Sequence, residues 1–121
     1  MTKYKAIILN TELDSENNRF TEQCLEEMAQ PGSVIPVVRD FNECEKIGDA
    51  YKLRFDGINL ECEIESDLDI TSNLVPVVSF IAESSYSEDD VKVYDKVQLY
   101  SIGFTCDPAT PNTSIERLEC G

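Results

Sequence analysis

The 121 residues include no histidine, and this restricts the chemistry available. Imidazole is the commonest general base near neutral pH. Any nucleophile here would need a lysine, a carboxylate or a terminal amine to activate it. Five cysteines are present, Cys24, Cys44, Cys62, Cys106 and Cys120. Their number is odd, their spacing irregular, and none forms a Cys-x-x-Cys pair. A zinc site would have to be all-thiolate or thiolate–carboxylate. The pattern instead predicts reduced, mostly buried thiols of a cytosolic protein. The segment Asp67-Leu68-Asp69-Ile70-Thr71-Ser72-Asn73 sets oxygen ligands at alternate positions, as a calcium loop begins. It lacks the sixth-place glycine and the acidic twelfth ligand, where Val78 stands. It therefore reads as a solvated acidic turn, and Glu88-Asp89-Asp90 reads as a charged hairpin tip. Glycine-rich phosphate loops are absent, and the carboxylates are too many for one pair to be singled out as a catalytic dyad. No cofactor and no metal is expected.

Ten Lys and Arg against 24 Asp and Glu leave a net charge of −14. A nucleic-acid-binding chain needs a basic stripe, and these cations are scattered singly. The charge supplies solubility, or suits docking on a basic partner. No apolar run approaches the roughly 20 residues of a membrane span. The apolar run near the N-terminus, Ala6 to Leu9, is short of the roughly 7–15 residues of a secretory core. The expectation is a cytoplasmic protein. On that expectation the sequon-like Asn112-Thr113-Ser114 has no role. The length suits one domain, residues 1–121.

Elements that could position functional groups follow from periodicity. Tyr4 to Leu9 predicts a strand, and Asn10 to Asn18 a loop. Thr21 fits an N-cap with Glu22 in the first turn. Phe20, Cys24, Leu25 and Met28 then share one helical face, which Pro31-Gly32 ends. Val34 to Val38 predicts a strand with Pro36 marking an edge or a bulge. Asp40 to Lys46 predicts a polar turn, Ile47 to Phe55 a strand, and Asp56-Gly57 a hairpin turn. Ile58, Leu60, Cys62 and Ile64 alternate with polar residues, the signature of a strand with one wet face. Leu74 to Ala82 predicts a buried strand, Glu83 to Asp90 a polar hairpin loop, and Val91 to Phe104 the last strands. The tail from Cys106 is Pro-punctuated. The expected fold is mainly β with one or two flanking helices (α+β), a small β-barrel or sandwich.

The order of several pieces across residues 33–115 resembles the prohead serine proteases of tailed phages, whose fold is similar to herpesvirus assemblins. The pieces are Val34-Ile35-Pro36-Val37-Val38, Lys46-Ile47-Gly48-Asp49-Ala50, Asp56-Gly57 and Asn59-Leu60. Further on, Leu99 to Pro111 resembles the family's late strand, and Pro108-Ala109-Thr110-Pro111 its most specific segment. The resemblance implies Ser79, in Val78-Ser79-Phe80-Ile81, as the nucleophile of an active member. It places the family's histidine near Phe41, where this chain has none. Lys46, Lys52 and Asp40 are the alternative bases, and nothing in the sequence selects one.

The resemblance thus implies an inactive homologue, a capsid decoration or head-assembly component with its core built like that of a prohead protease. It would act by protein–protein contacts, with the major capsid protein as partner, in the host cytoplasm or the virion. Two other readings compete: an acidic intracellular binding module unrelated to phages, and a serine protease with a non-histidine base. Alternating edge strands leave homo-oligomer formation open, while abundant charge opposes it.

Overall fold

A computed structural model describes residues 2–30, 32–39, 42–67, 69–70, 73–106, 108 and 110–118, the side chains of 42–44 excepted. Phe41, Asp40, Pro31, Ala109 and Cys120 lie outside the described residues. The protein is mainly β, with eight described strands and one described helix. In chain order they are β1 (Thr2–Asn10), β2 (Asn18–Phe20), α1 (Glu22–Met28), β3 (Ile35–Arg39), β4 (Asn42–Phe55), β5 (Asn59–Ser66), β6 (Val75–Glu88), β7 (Val91–Thr105) and β8 (Ser114–Arg117). One sheet runs β2-β7-β3-β4-β5-β1-β8, and β6 pairs with β7 along the latter's other edge. The sheet curls into a half-barrel, which brings β6 back towards β1 and β8.

Alternation drives the curl. In β5, Leu60, Cys62 and Ile64 are buried while Glu61, Glu63 and Glu65 face outward. β1 matches this register, with Tyr4 opposite Ile64 and Ala6 opposite Cys62. A bulge between Ile7 and Leu9 then turns both Ile8 and Leu9 into the core, as an inserted residue does when it kinks a strand. α1 begins as its sequence predicts. The Cys24 N–H donates to Thr21 Oγ1 at 3.1 Å, and Cys24, Leu25 and Met28 are buried. Burying an apolar side chain of the size of Leu25 is worth about 1.5–3 kcal/mol, so this seven-residue helix is held by packing rather than by its own ladder.

Several expectations are revised. β3 is an interior strand, between β4 and β7, although Pro36 predicted an edge or a bulge. The bulge half of that reading holds, because the register shifts between Val37 and Val38. Pro36 is tolerated because β3 meets β7 in a single ladder pair, Val37 with Ile102, one residue away from the missing N–H. Ile58 does not open β5: it sits in the turn and is exposed. The Asp56 carboxylate accepts hydrogen bonds from the Ile58 and Asn59 N–H groups at 2.8 and 2.7 Å. Those bonds hold the two residues in an Asx turn and lower the pKa of Asp56.

The predicted loop Glu83 to Asp90 is mostly strand. β6 runs to Glu88, and Asp89-Asp90 alone make the turn, with φ of 51° and 63°. Two successive positive φ values give the hairpin turn that matches strand twist, and Asp tolerates that conformation better than most residues. β4 starts at Asn42, inside the predicted polar turn, and the short strands β2 and β8 add to the count.

Gly48 has a steric reason to be glycine. A Cβ there would overlap the Glu65 carbonyl and lie 2.9 Å from Ser66 Cα on the paired strand. Both obstacles are backbone, so neither can swing aside. Gly48→Ala is expected to cost at least about 2 kcal/mol, lowering Tm by about 8 °C or more in a thermal melt. A melt within a degree or two of wild type would contradict this packing.

Candidate functional site

Ser79 lies in β6 opposite Ser101 of β7. Its neighbours Val78 and Phe80 pack against the core, so alternation turns Ser79 to the outer face of the sheet. No side-chain hydrogen bond links it to a base among the described residues. Lys46 pairs with Val38 on β4, three strands away from β6. Three strand spacings amount to about 14 Å, far beyond hydrogen-bond reach. The Lys46 ammonium is instead 2.8 Å from Asp49 Oδ1. Lys52 lies on the same distant strand, 2.9 Å from Glu63 Oε2. Phe41 and Asp40 are outside the described residues, so neither can be placed beside Ser79. The structure brings together none of the described pieces of a hydrolytic triad.

The acidic loop after β5 is tied down by structural contacts. Asp67 N–H donates to the Ile47 carbonyl at 2.7 Å, and Thr2 Oγ1 donates to Asp69 Oδ1 at 2.8 Å. The Ile70 N–H donates to the Tyr4 hydroxyl at 2.9 Å. Leu68, Thr71 and Ser72 lie outside the described residues. Among the described residues no three Cys, Asp or Glu side chains are gathered as metal ligands.

What the fold does assemble is a cleft that sequence reading missed. It lies at the seam of the half-barrel, between the end of β1 and the start of β6, with a volume of about 230 Å³. Ile8, Leu9, Val78 and Phe80 contribute apolar walls, and Asp14 and Glu16 stand at its rim. Behind the walls, Phe20 and Tyr94 stack at 5.3 Å while the Phe80 ring meets both edge-on. Such offset and edge-to-face contacts hold rings in fixed orientations. Asn10, fully buried at the end of β1, donates from Nδ2 to the Pro111 carbonyl at 2.6 Å. That bond straps the tail, including Pro108 and Thr110, across the same opening. No local sequence signal marks this cleft, because its residues come from five separated segments.

A second cluster covers the outer face of β1, β5 and β4. Arg54 contacts Glu61 Oε2 through both Nε and Nη2 at 2.9 Å, and Lys3 reaches Glu65 at 3.4 Å. The Tyr51 hydroxyl donates to Glu65 at 2.9 Å. This bond and the Lys3 charge lower the pKa of Glu65. Burial, together with the Glu65 charge, pushes Tyr51 up to about 12. The groups neutralise one another, which leaves little field for a charged ligand.

Two of the three described thiols are protected. Burial, reinforced by the Glu27 and Asp95 charges, pushes Cys24 up to about 11. Burial does the same to Cys62, to about 12. Cys24, Cys62 and the exposed Cys106 are all free. The thiolate is the reactive form, so buried thiols with raised pKa values should resist reagents at pH 8. With Cys44 and Cys120 replaced by serine, Ellman's reagent should label one thiol at once and the other two only after denaturation. Fast labelling of all three in a folded sample would contradict the burial. Because the folded thiols hold their protons above the ordinary pKa of 9.0, their contribution to stability is intact below pH 9. It declines as pH rises through 11 to 12.

Comparison with family models, with curated proteins and with solved structures gave no match to this chain.

Proposed function

We propose that this chain is a non-catalytic binding protein that acts by protein–protein contacts, with phage head assembly or capsid decoration as its setting. The observation that carries the binding reading is the seam cleft, with its apolar walls and acidic rim. A concave apolar site with a few polar groups at its mouth is the usual form of a recognition pocket. Its size admits one large side chain. Asp14 and Glu16 favour a basic residue beside that side chain, in keeping with the net charge of −14. The partner chemistry is therefore an apolar or aromatic anchor flanked by Lys or Arg.

The setting rests on the residue order described above, from Val34 through Pro111, and a fold likeness alone would not fix a function. The missing histidine and the position of Ser79, opposite Ser101 and three strands from Lys46, favour binding over peptide hydrolysis. The major capsid protein is the proposed partner.

Co-expression with the coat protein encoded in the same phage, followed by gel filtration and a denaturing gel, tests this reading. An intact coat band should co-elute with the chain, and the complex should weaken as salt is raised. Val78→Lys, which puts a charge against the wall of the cleft, should lower the co-eluting fraction about tenfold or more. A coat band shortened by wild type and left whole by Ser79→Ala would overturn the non-catalytic reading. Absence of both cleavage and co-elution would overturn the capsid setting.

A further inference from the structure

Three aromatic rings border the seam cleft. Phe20 of β2, Phe80 of β6 and Tyr94 of β7 all line it, with ring centroids 5.1 to 5.4 Å apart. The strands fix these positions. Phe20 is in register with Tyr94, and β6 brings Phe80 in along the other edge of β7. The face of such a ring is electronegative and attracts cations. The chain already shows this at Tyr94, where the Lys92 ammonium lies 5.2 Å from the ring centroid. That is within the roughly 6 Å at which cation–π contacts form. The charged groups of the cleft have the same preference. Asp14 and Glu16 stand at its rim, and among the described residues no Lys or Arg forms an ion pair with either.

We propose, resting on the reading of this cleft as the recognition site, that it binds a small methylated ammonium ion of the choline class. The rings and the two carboxylates attract its charge, and the apolar walls take its methyl groups. The capsid setting plays no part in this.

Size and lining favour the methylated form. At about 230 Å³ the cleft is smaller than the roughly 300–1,000 Å³ of pockets for drug-sized ligands. It suits a head group rather than a larger metabolite. A primary ammonium is strongly hydrated and brings N–H donors with it. The side chains of Ile8, Leu9, Pro76 and Val78 are apolar walls, and burying unpaired donors against them is costly. Methyl groups remove those donors and present surface that the same walls accept. The acidic rim then chooses among methylated ammonium compounds. A carboxylate or phosphate on the ligand would be brought towards Asp14 and Glu16, on a chain of net charge −14. Glycine betaine, phosphocholine and a phosphocholine lipid are therefore disfavoured. Choline carries a neutral hydroxyl in place of the anion and meets no such repulsion. Lys92, close to Tyr94, repels any cation that enters, so its charge limits the affinity.

Titration of choline chloride into the isotope-labelled chain, at constant ionic strength, tests the proposal by NMR. Shifts should saturate and centre on Phe20, Phe80 and Tyr94. Choline should bind about tenfold more tightly than the uncharged alcohol in which carbon replaces its nitrogen. It should also bind more tightly than ethanolamine, phosphocholine or glycine betaine. Glu16→Gln should weaken choline about threefold without weakening the uncharged alcohol, and Lys92→Gln should strengthen choline. Both positions are exposed, and circular dichroism establishes that the variants are folded. Shifts that fail to saturate, or that centre on Glu88-Asp89-Asp90, would overturn the proposal. Equal affinities for choline and the uncharged alcohol would do the same, because the rings and carboxylates would then not be sensing charge. Ethanolamine or phosphocholine binding as tightly as choline would overturn the choice of ligand. A trimethyllysine peptide binding more than tenfold more tightly than choline would overturn the assignment to a free solute. No coat protein enters this titration, so its failure leaves the capsid reading standing, and loss of coat binding leaves choline binding standing.

Discussion

The half-barrel depends on β7 carrying ladders on both of its edges. On one edge it pairs with β6 over nearly its whole length, and on the other it meets β2 and then β3, both in parallel. The β3 contact is a single pair, Val37 with Ile102, and both residues are fully buried. The antiparallel group β3-β4-β5-β1-β8 and the β6–β7 hairpin are joined there. Parallel pairing is slightly weaker per residue than antiparallel pairing, so one pair would not hold the halves together alone. What holds them is the core beneath: Ile102 packs with Val37, Ala50 and Ile64 in one cluster. The seam cleft is a consequence of the same geometry. The sheet is anchored at β7 and curls from there, leaving its two ends, β6 and β1–β8, facing each other without a ladder.

Much of this was legible locally and little of it globally. Thr21 as an N-cap, the buried face of α1 and the alternation of Leu60, Cys62 and Ile64 are statements about near neighbours, and near neighbours decide them. The outer half of β6 was hidden because Glu83-Ser84-Ser85-Tyr86-Ser87-Glu88 has the composition of a loop. Its conformation comes from pairing with Val91 to Lys96, and from a turn of two residues that a run of acids disguised. β2 and β8 are three and four residues long, too short for periodicity to register. Gly48 could be read as one step in a motif. Its steric reason, the Glu65–Ser66 backbone, lies across the sheet.

The ion pairs on the outer face help to explain how so acidic a chain tolerates three glutamates at alternate positions of one strand. Glu61, Glu63 and Glu65 would repel one another and their neighbours. Arg54, Lys52 and Lys3 each meet one of them. Exposed pairs of this sort add little net stability, so their contribution is the repulsion they remove. Three of the ten cations are used on one patch, and most of the remaining surface is left strongly negative.

The distribution of charge therefore separates the surface into regions with different capacities. The β1–β5–β4 face is internally neutralised, and long-range fields from it are weak. The rim of the seam carries Asp14 and Glu16, and among the described residues no Lys or Arg forms an ion pair with either; Asp14 Oδ1 instead accepts the Glu16 and Asn18 N–H groups at 2.9 and 2.8 Å. The outer half of β6, Ile81 to Glu88, is exposed and carries two carboxylates, Glu83 and Glu88. Ser79 sits at the inner end of that same strand, facing outward opposite another serine. The residue that the sequence offers as a nucleophile thus meets no base among the described residues, while the feature that the fold assembles from separated segments is the seam cleft.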